Sequence, residues 1–267
     1  MTVVTKISFI RAHKDFTSVV LSKGKKQVNY ITPIQEKQKV LQDMSIDRLY
    51  IIKFNEALAA LSPQEFIDQF IIGLNIQHVV AGFDFTFGHK GAGNMNTLRE
   101  LAKDDFETTV IEKIETGNEK VSSTRIRELL SEGDIEQVNT LLNRPLSIHG
   151  YVGEGAKRGR KLGYPTANLI VDEDALLPKP GIYAVQVVYK GEKYDGMASL
   201  GTNPTFTEDN HQLSLEVNIL DYSNNLYGEE LILEWHKFIR EEKKFQNAEA
   251  LIEQIKSDEI EIRSFFK

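Results

Sequence analysis

Cysteine is absent from the 267 residues of this sequence. Without thiols there is no disulfide framework, no thiolate metal site and no cysteine nucleophile. Such a composition fits a reducing compartment, so we expect a cytoplasmic protein. Long apolar runs are also absent, and the opening residues MTVVTKISFI have neither the pattern of a signal peptide nor the length of a membrane span. We therefore expect no membrane partner.

An excess of basic residues is missing as well. Lys and Arg together number 32, against 39 Asp and Glu, which gives a formal net charge of −7. Proteins that bind nucleic acid across a broad surface usually carry a basic excess, so we expect small-molecule partners and no nucleic acid. Hydrophobic residues make up 41% of the chain, which is ordinary for a globular protein with a buried core, and the length predicts one or two domains.

The first half of the chain, residues 1–143, alternates strand patterns with helix patterns. We predict a buried strand at 47–54, a second strand at 76–82 and a third in FETTVIEKI, with helices at 122–133 and 134–143. Alternating strands and helices indicate an α/β domain in which helices cover a parallel sheet.

The strongest helix signal covers residues 62–73. Ser62 is placed as N-cap, Pro63 occupies the first helical position, and Glu65 completes a capping box. Gly73 predicts the end of the helix.

The second half, residues 144–267, has a different pattern. Short alternating segments are separated by turns rich in Gly, Pro and Asn, including a hairpin turn predicted at 190–193. This pattern predicts an antiparallel, all-β domain, most simply a small closed barrel. A final helix is predicted from apolar residues at roughly helical spacing: Leu251, Ile252, Ile255, Ile262 and Phe266.

A glycine-rich basic segment opens the second domain, with the sequence GYVGEGAKRGRKLGYPTANL at 150–169. It is not a P-loop, but its glycines let backbone amides approach an anion and its basic side chains add positive charge. The candidate phosphate-binding residues are Gly153, Gly155, Lys157, Gly159, Arg160 and Gly163. The alternative is a solvated basic loop followed by a turn.

Thr166 and Asn168 close this segment. They stand two residues apart, so in an extended chain both side chains point to the same side. Their oxygens are of the kind that Mg²⁺ accepts together with phosphate oxygens and water. We therefore predict that Thr166 and Asn168 bind both phosphate and metal.

Glu216 is the candidate general base. In the strand pattern at 213–219, Leu213, Leu215, Val217 and Ile219 share one face, whereas Ser214, Glu216 and Asn218 share the other. A carboxylate in the middle of the polar face of a rigid strand could be directed at a substrate hydroxyl. The alternative is an exposed strand carboxylate without a catalytic role.

The segment GRKLGYPTANL resembles the signature of the bacterial riboflavin kinases, the β-barrel half of bifunctional riboflavin kinase/FAD synthetases. The resemblance implies a Greek-key barrel with a C-terminal helix. It implies transfer of the γ-phosphoryl group of ATP to the ribityl 5′-hydroxyl of riboflavin to give FMN, with Mg²⁺ or another divalent cation as cofactor. Thr166 and Asn168 would hold Mg²⁺-ATP, and Glu216 would be the base. Matching segments follow in order at 180–185, 196–206, 213–222, 226–231 and 238–255.

Two further residues are implied at the flavin site by the same resemblance. Arg240 resembles a family position near the flavin, and a surface arginine at a strand end is the alternative. Phe206 would belong to a loop that flanks the site, and a buried loop aromatic is the alternative.

The first half resembles the adenylyltransferase domain of the same bifunctional family, through VVAGFDFTFGHKGAGN (79–94) and VSSTRIRELLSEGDIEQVNTLL (121–142). This implies a Rossmann-like nucleotidyltransferase fold. Residues at the start of the 122–133 helix would stand where a nucleotide's phosphates are held, as a capped helix N-terminus permits. They are Ser122, Ser123, Thr124 and Arg127.

One element of the family pattern is not found, an early Gly-Phe-Phe-Asp-Gly-Val-His-x-Gly-His segment. The one early histidine is His13. We therefore expect an incomplete, vestigial domain and the loss of FMN adenylylation. Two alternatives remain open: a bifunctional riboflavin kinase/FAD synthetase, and an inactive regulator that binds flavin or nucleotide.

Overall fold

A computed structural model of the chain describes residues 7–11, 29–52, 54–117, 119–154, 163–172, 174–202 and 213–267. Two compact units are formed. The first contains the described part of Met1–Val28 together with Leu41–Val121, and the second contains Asn29–Val40 together with Ser122–Lys267.

The first unit is an α/β structure built on pairs of strands. Its first two strands are parallel, and so are its third and fourth, as the alternation of helix and strand predicted. Its elements are β1 (Ile7–Arg11), β2 (Arg48–Ile52), α2 (Glu56–Ala60), α3 (Pro63–Ile67, continued by a π-helical turn over Asp68–Ile72), β3 (His78–Gly82), a 3₁₀ turn (His89–Gly91), α4 (Met95–Ala102), β4 (Glu107–Ile111), β5 (Glu115–Thr116) and β6 (Glu119–Lys120). Helix α1 (Ile34–Asp43) crosses the sequence division between the two units.

The start of α3 follows its capping pattern. The Ser62 hydroxyl accepts from the Glu65 N–H at 3.2 Å, and the Glu65 carboxylate accepts from the Ser62 N–H at 2.7 Å. The predicted capping box is therefore confirmed, with Pro63 in the first turn and Gly73 after the last.

Strand β2 is present where the sequence predicted it, but the expectation that it is buried is wrong. Ile51 is 45% exposed, and the remaining side chains of β2 are exposed or half-buried. Among the described residues β2 pairs with β1 alone in a two-stranded sheet, so neighbouring strands give it little cover. The apolar residues of this segment therefore predict that it forms a strand, but they do not predict how much of the strand other elements bury.

The second unit is dominated by a closed β-barrel. Its elements are α5 (Ser123–Glu132), α6 (Ile135–Leu142), β7 (Leu146–Gly153), β8 (Ala167–Val171), β9 (Gly181–Tyr189), β10 (Glu192–Thr202), β11 (Leu213–Ile219), β12 (Glu230–Arg240) and α7 (Ala248–Phe265). The order around the barrel is β10-β11-β8-β7-β12-β9, and every neighbouring pair is antiparallel. The run β12-β9-β10-β11 is the Greek-key order, so the predicted fold is confirmed.

The turn between β9 and β10 shows why the chain reverses where predicted. Lys190 and Gly191 both have positive φ angles, 51° and 87°, as a two-residue hairpin turn of type I′ requires. Glycine at the second position removes the cost of this backbone conformation.

The barrel core is centred on two large aromatic residues. Trp235 and Tyr183 are 1% and 0% exposed, and their rings meet edge to face at a centroid distance of 4.9 Å. On the outer face of the same wall, Ile262 of α7 is fully buried against a cluster that includes Ile182 and Met197. The C-terminal helix therefore covers part of the barrel wall, as its apolar spacing predicted.

The compact units divide the chain earlier than the predicted boundary at 143/144. Helices α5 and α6 belong to the barrel unit. The Asn139 side chain donates to the Trp235 carbonyl at 2.8 Å and accepts from the Leu146 N–H at 2.7 Å. The Leu130 carbonyl accepts from the Lys179 N–H at 2.9 Å. An amphipathic helix pattern shows that a face is covered but not by what, so the sequence could not assign these helices to the barrel.

A buried polar cluster joins Asn29–Val40 to the barrel within the second unit. Glu36 is 2% exposed, and its carboxylate accepts from the Ser147 hydroxyl at 2.6 Å. His149 Nε2 lies 3.2 Å from the other carboxylate oxygen. Burial lowers the pKa of Arg144, and the charge of Glu36 opposes this shift. Sequence patterning gave no signal for this cluster, because its members are far apart along the chain.

Candidate active site

The barrel wall brings the candidate base and a candidate metal ligand side by side. Glu216 of β11 stands directly opposite Asn168 of β8, and on its other side it stands opposite Ser199 of β10. Directly opposed residues share a face of the sheet, with Cβ atoms about 4.5–5.5 Å apart. Two residues 48 positions apart in the sequence are thus neighbours.

This polar row lies on the outside of the barrel. Leu215 and Val217, which alternate with Glu216, are buried at 3% and 1% exposure. Ile182, the β9 residue opposite Ser199, belongs instead to the cluster that packs against α7. Glu216 itself is half-buried. The site is therefore a partly sheltered patch of barrel wall, on the face that α7 covers over neighbouring strands.

Thr166 completes the group by direct contact. Its hydroxyl donates to a Glu216 carboxylate oxygen at 2.9 Å. A threonine hydroxyl has one proton and two lone pairs, so donating to Glu216 leaves the oxygen able to bind a cation. The structure therefore brings Thr166, Asn168 and Glu216 together as the family resemblance implied.

The three residues present the chemistry that Mg²⁺ requires. A hydroxyl oxygen, an amide oxygen and a carboxylate are hard oxygen donors, and Mg²⁺ binds few protein ligands while retaining water and phosphate oxygens. Among the described residues, no group of three or more His, Asp or Glu side chains could hold a metal ion by itself.

Asn218 also belongs to this group of residues. The sequence pattern placed it correctly on the polar face of β11, but no role was predicted for it. It is 6% exposed, and its amide nitrogen donates to the Pro165 carbonyl at 2.7 Å. The alternation of 214, 216 and 218 showed its direction. Its burial and its partner depend on the loop that precedes β8, which alternation does not predict.

A second tether links the same loop to α7. Tyr164 lies within hydrogen-bonding reach of Glu259, and burial, followed by the charge of Glu259, raises the pKa of Tyr164. Arg263 Nε donates to Glu259 at 2.8 Å, and its two terminal nitrogens donate to Asp221 at 2.7 and 2.9 Å. Hydrogen bonds of Arg263 thus connect Asp221, which follows β11, with Glu259 of α7, and the charge of Glu259 acts on Tyr164.

The glycine-rich basic segment is described only at its two ends. A Cβ on Gly153 would lie 2.5 Å from Ile170 Cδ1, a close approach across β7 and β8 that the exposed Ile170 side chain could relieve by moving. Gly163 has a φ of +84° and open space around it, so it is the backbone conformation that favours glycine. Gly155, Lys157, Gly159 and Arg160 lie outside the described residues. Phosphate binding by this segment stays a prediction.

Arg240, which was predicted to contact the flavin, forms hydrogen bonds within the protein. Its guanidinium donates to Asp258 of α7 from Nε at 2.9 Å and from Nη2 at 2.7 Å, and from Nη1 to the Glu241 carbonyl at 2.9 Å. The Arg240 and Asp258 side chains are 13% and 3% exposed. Such a bidentate buried pair fixes α7 against β12. Flavin contact by Arg240 stays a prediction, and Phe206 lies outside the described residues.

Comparisons with known proteins cover both halves of the chain. Residues 142–266 match the riboflavin kinase family model, and residues 7–125 match the FAD synthetase family model. A bifunctional riboflavin kinase/FMN adenylyltransferase from Listeria monocytogenes is 45% identical over 93% of this chain and 79% of the relative. The protein of that name from Bacillus subtilis is 43% identical over the same shares.

The chain belongs to the bifunctional riboflavin kinase/FMN adenylyltransferase family. The barrel with its C-terminal helix is the riboflavin kinase domain. The candidate base, the Thr-Asn pair and Asn218 all lie within it.

A solved structure is similar to this protein over nearly the whole chain. A crystal structure described as a macrolide-efflux protein from Streptococcus pneumoniae has a TM-score of 0.83 and 32% identity, and the match covers 96% of this chain and 82% of that one. In the part of this family member that the structure describes, no helix combines the length and the apolar character needed to cross a membrane.

The candidate nucleotide site of the FAD synthetase half is accounted for by other contacts. The Ser122 hydroxyl accepts from the Arg125 N–H at 3.2 Å and so caps α5. Ser123 and Thr124 are exposed in the first turn. Arg127 donates to the Asn29 carbonyl at 2.8 Å. These contacts give Ser122 and Arg127 a structural role, and nucleotide binding at the four positions stays a prediction.

The Arg240–Asp258 pair generates a prediction for this riboflavin kinase domain. Arg240→Ala and Asp258→Ala each leave one buried charge unpaired, so each should lower the free energy of unfolding by about 3–5 kcal/mol. The double variant should lose less than the sum of the two. Urea unfolding followed by the fluorescence of Trp235, the single tryptophan, measures all three.

An exposed pair between the same two elements provides the matched control. Lys237 Nζ lies 3.0 Å from Glu261, with side chains 32% and 48% exposed. The corresponding alanine variants should each change stability by less than about 1 kcal/mol. A structural role for Arg240 would be contradicted if the variants of the two pairs lost equal unfolding free energy. It would also be contradicted if the losses for Arg240→Ala and Asp258→Ala were strictly additive in the double variant.

Proposed function

We propose that this protein transfers the γ-phosphoryl group of ATP to the 5′-hydroxyl of the ribityl chain of riboflavin, yielding FMN and ADP. The observation that carries the proposal is the contact between the Thr166 hydroxyl and the Glu216 carboxylate, next to Asn168, in a barrel that matches the riboflavin kinase family. The substrates are small molecules, and a cytoplasmic location belongs to the same proposal.

Glu216 would act on the proton of the acceptor alcohol. As the ribityl oxygen bonds to the γ-phosphorus and the bond from phosphorus to the β-phosphate oxygen breaks, the alcohol proton passes to the carboxylate. Such general-base assistance is typically worth about 10²–10⁴-fold. Glu216 stands in the middle of a barrel strand, so its backbone is fixed before substrate arrives.

Thr166 and Asn168 would hold the nucleotide with its cation. Bound Mg²⁺ supplies positive charge that offsets the negative charge of the phosphate oxygens. Phosphoryl transfer depends mainly on positioning and on such charge stabilisation, because the transition state requires little covalent chemistry from the protein. The backbone of both residues is restrained. Asn168 lies within the ladder between β8 and β11, and Thr166 directly precedes it.

FMN adenylylation is a second candidate activity. The match of residues 7–125 to the FAD synthetase family and the bifunctional relatives favour it. The sequence-based prediction of its loss rests on the six histidines of the sequence, none of which belongs to a His-x-Gly-His segment. We retain the loss of adenylylation as a prediction, and the bifunctional alternative has comparable support.

One chromatographic assay separates these candidates. Purified protein with riboflavin, ATP and Mg²⁺ should yield FMN and ADP in equal amounts. FMN supplied with ATP and Mg²⁺ should yield no FAD and no pyrophosphate. If the protein bound flavin tightly but formed no FMN with any divalent cation, the kinase proposal would be wrong and the alternative of an inactive regulator would be favoured. FAD formation would establish the bifunctional enzyme.

Two substitutions test the assigned roles. Glu216→Gln should lower kcat by about 10²–10⁴-fold and leave ATP binding nearly intact, because the lost contact operates in the transition state. Asn168→Ala should weaken Mg²⁺-ATP binding and lower kcat together. Steady-state kinetics and nucleotide-binding calorimetry distinguish the two patterns.

The exposed carboxylate Glu192, also on the barrel, supplies the control. Glu192→Gln should match wild-type kinetics. If Glu216→Gln did so too, the assignment of the base would be wrong.

A further inference from the structure

The loop before β8 is anchored by a side chain of β11 rather than by backbone pairing. The ladder between β8 and β11 pairs Glu216 with Asn168 and Val217 with Ala167, and it ends there. Pro165 and Thr166 precede β8, so the Pro165 carbonyl is not part of that ladder. The Asn218 side chain reaches past the end of the ladder and donates to this carbonyl at 2.7 Å.

The chemistry of this contact fixes the orientation of the Asn218 amide. A proline carbonyl can only accept, so the amide must present its nitrogen. Asn218 is 6% exposed whereas Pro165 is exposed, so the bond anchors an exposed residue of the loop to a buried amide. A buried amide that loses its acceptor pays a desolvation cost, so this contact favours one position of the loop.

Thr166 therefore lies between two fixed points. On one side Ala167 is held by the ladder, and on the other the Pro165 carbonyl is held by Asn218. The Thr166 hydroxyl contacts Glu216 at 2.9 Å from a backbone restrained at both ends. Asn218 and Glu216 are two residues apart on the same face of β11, so one strand carries both the base and the anchor.

We propose that Asn218 is a positioning residue for the phosphoryl transfer, because its bond to the Pro165 carbonyl directs the Thr166 hydroxyl toward both Glu216 and the cation of the nucleotide. This inference rests on the proposed function. Asn218 touches neither substrate nor the reacting atoms and acts through Thr166.

Asn218→Asp tests the proposal with almost no change in shape. The carboxylate keeps the volume of the amide but removes the donor and places an acceptor against the Pro165 carbonyl. Asn139→Asp is the matched control, because the Asn139 amide also donates to a main-chain carbonyl of the barrel, that of Trp235, at 2.8 Å. The control bond lies at the Leu146 end of β7, whereas the site lies at the Gly153 end.

Three measurements on each variant are compared at a temperature where circular dichroism shows it folded: the thermal midpoint, the steady-state constants for FMN formation, and the affinity for Mg²⁺-ADP by calorimetry. Both variants should have lower midpoints than wild type. Asn218→Asp alone should lower kcat and weaken Mg²⁺-ADP binding by about five- to tenfold, the factor that corresponds to the net loss of one hydrogen bond. Asn218→Ala, which adds no charge, should give the same pattern if Asn218→Asp does not fold.

The outcomes separate this inference from the proposed function. If the folded Asn218 variants match Asn139→Asp in kcat and in Mg²⁺-ADP affinity, Asn218 is purely structural and the inference is wrong. If wild type makes no FMN but binds Mg²⁺-ADP about five- to tenfold more tightly than the Asn218 variants, the kinase proposal fails and the positioning role stands. A wild-type protein that does not bind Mg²⁺-ADP contradicts both.

Discussion

The hydrogen bond from the Thr166 hydroxyl to the Glu216 carboxylate is the contact on which the proposed chemistry of this barrel depends. It joins a loop residue to a strand residue 50 positions later, and it exists because β8 is inserted between β7 and β11. Closure of the barrel makes this placement rigid, since each of these strands is hydrogen-bonded on both sides. The site therefore depends on the long-range order of the strands more than on any local motif.

The C-terminal helix α7 supports the same site from outside the barrel. Its apolar residues bury part of the outer wall, its Asp258 binds Arg240 of β12, and its Glu259 and Arg263 form the chain of contacts to Tyr164. Glu259 of α7 thus acts electrostatically on Tyr164, in the loop that carries Thr166 and that Asn218 of β11 anchors. A polar site on the outside of a small barrel needs such cover, because an exposed wall would leave charged groups fully hydrated and electrostatically weak.

Local chemistry explains which features could be predicted from the sequence. The capping box at Ser62, the hairpin turn at Lys190 and Gly191, and the direction of Glu216 each follow from residues within a few positions of one another. The grouping of Thr166 and Asn168 with Glu216 came from the family resemblance, since spacing alone does not give strand order.

The features that the sequence did not predict all depend on distant partners. Apolar residues in β2 did not reveal that the strand is only partly covered. The patterns of helices α5 and α6 did not identify the surface on which they pack, which lies in the barrel unit; the domain boundary at 143/144 stays a prediction. The burial of Asn218 and of Glu36 is produced by a loop and by a segment far away in sequence, and alternation carries no information about either.

A crystal structure of the protein with Mg²⁺, ADP and FMN tests the central claim most directly. The account predicts a Glu216 carboxylate oxygen within roughly 2.6–3.2 Å of the oxygen that joins the ribityl chain to the new phosphate. It also predicts the Thr166 and Asn168 oxygens beside the metal or its coordinated phosphates. A flavin bound elsewhere, with Glu216 directed away from the phosphate ester and both oxygens remote from the metal, would contradict it.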